Sequence, residues 1–202
     1  MVTIVDYGMG NLGSIANMLE AVGSNSIITS DIALIESATK LILPGVGSYD
    51  AGMNNIKRRN LIPILNQKVL EEKIPILGIC LGMQLMTKSS EEGSCDGLGW
   101  VNGSAHKFKD SLGKSLKVPH MGWNTVTASK NSSLFNGSTE SRFYFVHSYY
   151  IKLRDQTEQL LSTNYGLKFT SGFEKDNIYG VQFHPEKSHE YGKAMFQSFV
   201  KL

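Results

Sequence analysis

The chain has 202 residues, 41% of them apolar and 19% charged, which suits a globular fold with a substantial core and excludes a disordered chain. A formal charge of +2 with scattered basic residues leaves no electrostatic footprint for nucleic acid or a membrane, and the densest group, Lys57-Arg58-Arg59, reads as a solvated helix end. Two cysteines, Cys80 and Cys95, are too few for a disulfide framework, and the start Met1-Val2-Thr3-Ile4-Val5-Asp6 has no signal-peptide character, so a reducing, cytoplasmic setting is expected.

Short apolar runs alternate with helical stretches through the first half. Val2–Val5 reads as a strand and Ser14–Val22 as a helix with Ile15, Met18 and Leu19 on one face. Ser26–Thr29 is a second strand, after which Asp31 caps a short helix. Leu41–Leu43 follows as a strand, then helical segments at Ala51–Lys57 and Leu61–Glu71. Ile74–Ile79 is a fourth strand running straight into a helix at Leu81–Lys88. The nearly apolar run from Ile74 to Met83 is only about half a membrane span. This alternation predicts a parallel sheet covered on both faces.

Beyond about residue 96 strand-like pieces succeed one another: Ala105–Phe108, Asn124–Thr127, Arg142–His147, Leu160–Thr163, Lys168–Phe173 and Ile178–Phe183. Asn136-Gly137 and Asn177 mark turns between them. A closing helix at His189–Val200 carries the stripe Met195, Phe196, Phe199 and Val200. No repeat or linker divides the chain, so residues 1–202 are expected to form a single domain.

Cys80 stands in Gly78-Ile79-Cys80-Leu81-Gly82, where a buried strand ends, turns sharply and enters a helix. Glycines two residues to either side match the spacing of a nucleophile elbow, where the crowded turn excludes side chains. The helix N-terminus that follows favours a thiolate. A structural cysteine beside helix-packing glycines is the alternative. Cys95, in the polar loop Glu92-Gly93-Ser94-Cys95-Asp96, lacks any such setting and reads as a surface thiol.

A thiol nucleophile needs an imidazole to move its proton, and the imidazole needs a group to hold its tautomer. Val181-Gln182-Phe183-His184-Pro185-Glu186 ends an apolar strand on a histidine, stiffened by Pro185, with a carboxylate two residues on. His147, at the end of Phe143-Tyr144-Phe145-Val146-His147, is the strongest rival, while His106, His120 and His189 lack the His-Pro-Glu arrangement.

Gly78-Ile79-Cys80-Leu81-Gly82-Met83-Gln84 together with His184-Pro185-Glu186 resembles the class I, triad glutamine amidotransferases. Asp6-Tyr7-Gly8-Met9-Gly10-Asn11-Leu12, Leu43-Pro44-Gly45-Val46-Gly47, Val118-Pro119-His120-Met121-Gly122-Trp123-Asn124 and Phe143–Tyr150 resemble, more narrowly, the glutaminase subunits of imidazole glycerol phosphate synthases. The resemblance implies an α/β, flavodoxin-like fold: a mostly parallel central sheet flanked by helices, with antiparallel strands added in the C-terminal half. It implies a triad of Cys80, His184 and Glu186, an oxyanion hole from Gly45, Val46 and the Leu81 amide, and glutamine contacts at Gly47, Gln84, Ser148 and Tyr149. It places Asn11, Trp123, Asn124 and Lys187 at a partner interface, although Trp123 also suits a core. The implied partner is a separate (β/α)-barrel cyclase in a heterodimer, with no cofactor and no metal.

Asn102-Gly103 and Ser48-Tyr49 depart from the usual family residues, which leaves room for a paralogue feeding ammonia to an amino-sugar synthase for surface polysaccharide. A stand-alone cysteine hydrolase and a non-catalytic binding subunit are the rival classes. The first predicts activity on varied amides without a partner, and the second predicts full glutamine-dependent synthesis after Cys80→Ala.

Overall fold

In the computed structural model, residues 1–108, 116–135 and 141–202 are described; the turn expected at Asn136-Gly137 lies outside them. The elements run β1 (Val2–Val5), α1 (Leu12–Ala21), β2 (Ser26–Thr29), α2 (Ile32–Glu36), β3 (Leu41–Leu43), α3 (Tyr49–Arg58), α4 (Ile62–Asn66), β4 (Ile76–Ile79) and α5 (Leu81–Leu85). They continue with β5 (Ser89–Ser90), β6 (Gly103–Lys107), β7 (His120–Thr125), β8 (Thr127–Ala128), β9 (Arg142–His147), β10 (Tyr149–Leu153), β11 (Gln159–Asn164), β12 (Lys168–Lys175), β13 (Ile178–Val181) and α6 (His189–Lys201).

The large sheet has the order β2-β1-β3-β4-β13-β12-β10-β6-β5, with β11 joining β12 to β8 at its side. Strands β2, β1, β3, β4 and β13 are mutually parallel, and the sheet turns antiparallel at β12. Every residue of β1, β3, β4 and β13 is buried, as continuous apolar runs must be when helices cover both faces. Val2, Ile4, Ile42, Leu77 and Ile79 pack towards α1 and α6 through Ile15, Leu19, Met195, Phe196 and Phe199. Val5, Leu41, Leu43 and Ile76 face the opposite core with Met53, Ile56, Leu65 and Leu85. The fold is therefore α/β with a mixed sheet, parallel through its N-terminal strands and β13 and antiparallel through the other large C-terminal strands β12, β11, β10 and β6.

Several element boundaries differ from the sequence expectation. The helix expected at Leu61–Glu71 divides into α4 and a π-helical turn at Gln67–Glu71. The helix after Cys80 ends at Leu85, because Ser89 and Ser90 pair with β6. Strand β10 had no counterpart: only Ser148 separates it from β9, so the sequence reads as one run while the chain changes sheets there. Strand β7 begins at His120 rather than Asn124 and pairs with β9 in a separate two-stranded ribbon. Strand β13 stops at Val181, and His184 is placed instead by a bridge to Tyr144, its N–H donating to the Tyr144 carbonyl at 2.9 Å.

Candidate active site

Cys80 sits between β4 and α5 with φ +53° and ψ −107°. A non-glycine residue held there is strained, and such strain is characteristic of a nucleophile on a strand-to-helix turn. Its N–H donates to the Val181 carbonyl at 2.8 Å, which fixes the turn to β13. The flanking glycines are needed for close approach. A Cβ on Gly82 would stand 1.8 Å from the Leu43 carbonyl oxygen, and one on Gly78 would stand 2.8 Å from the Met83 nitrogen.

His184 and Glu186 flank Pro185 at the start of a 3₁₀ turn, Pro185–Lys187. His184 Nδ1 donates to Glu186 Oε1 at 2.7 Å, with both side chains almost fully buried. That bond puts the remaining ring nitrogen, Nε2, on the side of Cys80. Nε2 has no hydrogen-bond partner among the described residues, and Cys80 lines the same cavity and acts on the ring electrostatically. Catalytic hydrogen bonds between nucleophile and base are often long or poorly aligned before substrate binds. Burial alone would lower the imidazole pKa; Cys80 and Glu186 outweigh it and carry the value up to about 10.

Cys80 and His184 open into a cavity of about 330 Å³ whose wall includes Val46, Gly47, Gln84, Glu92, Ser148 and Tyr149. This is room for one small substrate. Both hydrogens of the Gln84 side-chain amide are committed, to the Tyr149 carbonyl (3.3 Å) and to Gln182 Oε1 (3.0 Å), so a substrate contact falls to its Oε1. Glu92 was read from the sequence only as an acidic neighbour of Cys95. Its Oε2 accepts from the Tyr49 N–H at 2.8 Å at the start of α3, which holds the carboxylate in the cavity wall. Gln182 was not singled out either; its Nε2 lies 3.7 Å from Cys80 Sγ.

The loop Pro44-Gly45-Val46-Gly47 passes beside the nucleophile. Gly47 has φ +111°, and a Cβ on Gly45 would lie 2.5 Å from the Tyr7 hydroxyl and 2.8 Å from Leu81 Cβ. The Leu81 N–H donates to the Gly45 carbonyl at 3.3 Å, while the Tyr7 hydroxyl donates to the Pro44 carbonyl. The Leu81 donor expected for an oxyanion is thus occupied by the loop itself.

Asn11, Trp123 and Lys187 are exposed. Trp123 stacks in parallel on His189, 5.5 Å between centroids, and lies on the outward face of β7 with Met121, so it is not a core residue. Asn124 faces the other way, its amide engaged with His120, Asn164 and Thr125. Cys95 is only partly buried, and desolvation followed by Asp50 raises its pKa, the opposite of activation.

Residues 3–202 match the family described as glutamine amidotransferase class-I. Over the whole chain, 56% of residues are identical to imidazole glycerol phosphate synthase subunit HisH 2 of Methanococcus maripaludis, with 99% of that protein covered. Identity is 45% to subunit HisH 2 of Pseudomonas aeruginosa and 43% to subunit HisH of Leptospira borgpetersenii, each covered completely. The chain belongs to the class-I glutamine amidotransferases, in the HisH family. Solved structures of low sequence identity share the amidotransferase fold: PurLQS from Thermotoga maritima superposes with a TM-score of 0.77 at 21% identity, covering 99% of this chain and 97% of that one. A structure described as a glutamine amidotransferase gives 0.76 at 15% identity, covering 100% and 98%. Among the described residues of this amidotransferase, no helix is long and apolar enough to cross a membrane.

Proposed function

We propose that Cys80, His184 and Glu186 carry out the glutaminase reaction by which this HisH-family chain supplies ammonia to imidazole glycerol phosphate synthase in histidine biosynthesis. The meeting of Cys80 and His184 at the floor of a cavity of about 330 Å³, with Glu186 bonded to the far ring nitrogen, carries the assignment. The Cys80 sulfur attacks the side-chain carbonyl carbon of L-glutamine as a thiolate. The C–N bond breaks, and the departing nitrogen takes the proton held on His184 Nε2, leaving as ammonia. The neutral ring then takes a proton from water, whose oxygen attacks the thioester, and glutamate leaves with the sulfur free again. Glu186 keeps the Nδ1 proton in place throughout.

The wall suits an amino acid. Glu92 and Gln84 Oε1 offer acceptors for an α-ammonium, and Gly47 with the Ser148–Tyr149 backbone, in the same cavity wall, is assigned to the α-carboxylate. For the tetrahedral oxyanion, Leu81 is one donor once the Gly45 carbonyl moves away, and Val46 is the second. The acceptor of the ammonia is a separate HisF cyclase subunit, of (β/α)-barrel form, docked as a heterodimer on the surface bearing Asn11, Trp123 and Lys187.

Glutamate release is measured with and without the HisF subunit and its nucleotide ligand. Release that is low alone and rises sharply in the loaded complex supports the reading; high release on varied amides by the chain alone sinks it. A second reading keeps the chemistry and changes the acceptor to an amino-sugar synthase. Failure of histidine-pathway reconstitution with retained glutaminase chemistry would select it.

A further inference from the structure

The ribbon of β7 and β9 carries two histidines at directly facing positions, His147, which lines the cavity, and His120 beyond it. Both are buried. Their contacts form a line: Asn124 Nδ2 is 3.1 Å from His120 Nε2, His120 Nδ1 is 2.9 Å from His147 Nε2, and His147 Nδ1 is 2.7 Å from the Tyr149 carbonyl oxygen.

The two ends dictate where every proton sits. A carbonyl only accepts, so His147 Nδ1 carries hydrogen. At the other end Asn124 Oδ1 accepts from the Thr125 N–H at 2.8 Å, and Nδ2 donates to the Asn164 carbonyl at 3.0 Å. The amide orientation is therefore fixed, and Nδ2 must donate to His120. A protonated His120 would aim N–H at N–H. A protonated His147 would drive His120 into the same clash. Only a neutral pair, each with its proton on Nδ1, closes the line. Burial agrees with the geometry, lowering the pKa of His120 to about 4 and of His147 to about 3.

The line ends where the cavity wall is made. Ser148 alone separates β9 from β10, and the chain leaves the ribbon for the large sheet there. The Tyr149 carbonyl also accepts from Gln84, which is bonded to Gln182 beside the Cys80 sulfur.

We propose that His120 and His147 are positioning residues whose tautomers are set by Asn124 and which hold the Tyr149 carbonyl, and with it the Ser148–Tyr149 wall of the glutamine site. The ligand named here rests on the glutaminase reading; the proton order does not.

Asn124→Asp tests the idea because it replaces a donor with an acceptor. His120 then accommodates a second proton, donating to the carboxylate and still to His147, and the line to Tyr149 survives. Once that proton is lost, Nε2–H faces the carboxylate, His120 Nδ1 becomes an acceptor, His147 must reverse, and the Tyr149 bond breaks. Around His120 stand Phe108, Phe145, Tyr165 and Phe169, with His147 the imidazole in contact and the Tyr165 hydroxyl committed to the Lys117 carbonyl. His184 acts on His147 from the catalytic side. The carboxylate also meets the Asn164 carbonyl, a cost that does not follow the His120 proton.

Nitrogen-15 NMR of the full chain reads the tautomers, and glutamine KM and kcat of the chain with its HisF subunit are followed against pH. Wild type is expected to show both rings neutral with protons on Nδ1. In Asn124→Asp, KM relative to wild type should rise about tenfold as pH passes the new His120 pKa, with kcat changing far less. His120→Phe, which keeps the stacking and removes the donor, should show the raised KM at every pH. A wild-type His147 with hydrogen on Nε2, or an Asn124→Asp KM ratio flat across pH, overturns the proposal. A wild-type complex that does not hydrolyse glutamine defeats the glutaminase reading instead, and the NMR result stands apart from it.

Discussion

The amide N–H of Leu81, one residue past the nucleophile, donates to the carbonyl oxygen of Gly45 across 3.3 Å. The group best placed to stabilise an oxyanion is therefore capped by the loop that should help it. A single oxyanion donor is worth about 2.7–4 kcal/mol of barrier, so the chain without its partner is expected to turn glutamine over about 10²–10³-fold more slowly than the loaded complex. Equal rates in the two states would contradict this.

The Tyr7 hydroxyl holds that loop through the Pro44 carbonyl from a fully buried position. Tyr7→Phe removes the bond while keeping the ring. Losing about 1 kcal/mol of restraint should raise partner-free glutaminase activity roughly fivefold. Activity in the loaded complex should barely change. A fall in both, measured as glutamate release, counts against a restraining role.

Cys80→Ala should abolish glutamine-dependent synthesis while ammonia-dependent synthesis by the partner persists. The same variant removes two of the influences that raise the His184 pKa, leaving burial, which lowers it, opposed by Glu186 alone. The imidazole pKa, followed by NMR titration, should fall well below its wild-type value of about 10. An unchanged titration would mean that Cys80 and His184 do not interact.

His120 and His147 are neutral in the fold, with pKa values near 4 and 3 against 6.5 for an unperturbed ring. Between those limits the unfolded chain binds more protons than the folded one, so stability falls with falling pH. This contribution is fully present above pH 6.5 and is lost progressively towards pH 3. His184 has the opposite sign: its contribution is complete below pH 6.5 and is lost as pH rises through about 10. Denaturant melts of His120→Phe should show a weaker acid dependence than wild type.

Gly82→Ala sets a Cβ 1.8 Å from the Leu43 carbonyl oxygen, backbone against backbone. It should cost about 3 kcal/mol or more, measured by chemical denaturation. Gly13, in the exposed start of α1 with nothing within 4 Å of its Cβ position, is the control. Gly13→Ala should be neutral or stabilising by about 0.5–1 kcal/mol.

What the sequence made legible follows from physical rules with short range. The bounds of β1 and β3 coincide with expectation because parallel strands buried on both faces are unbroken apolar runs between polar turns, and those of the edge strand β2 because its short Ile27-Ile28 run lies between polar residues. Cys80 and His184 stood out for the same local reason, each at the end of such a run. Strand β10 was hidden because a one-residue change of sheet at Ser148 leaves no turn signal. The pairing of His120 with His147 depends on a register between distant strands, and no local pattern carries that. Glu92 entered the cavity wall because its loop folds back over the start of α3, so its neighbours in sequence described it poorly.

The central claim is that the Cys80 sulfur becomes acylated by glutamine. Rapid acid quench of the loaded complex turning over glutamine, followed by peptide mass spectrometry, reads this directly. A γ-glutamyl thioester on the Cys80 peptide, lost in Cys80→Ala together with glutamate release, is the predicted result. Glutamate release that survives Cys80→Ala, or an acyl group found on another residue, would contradict the account.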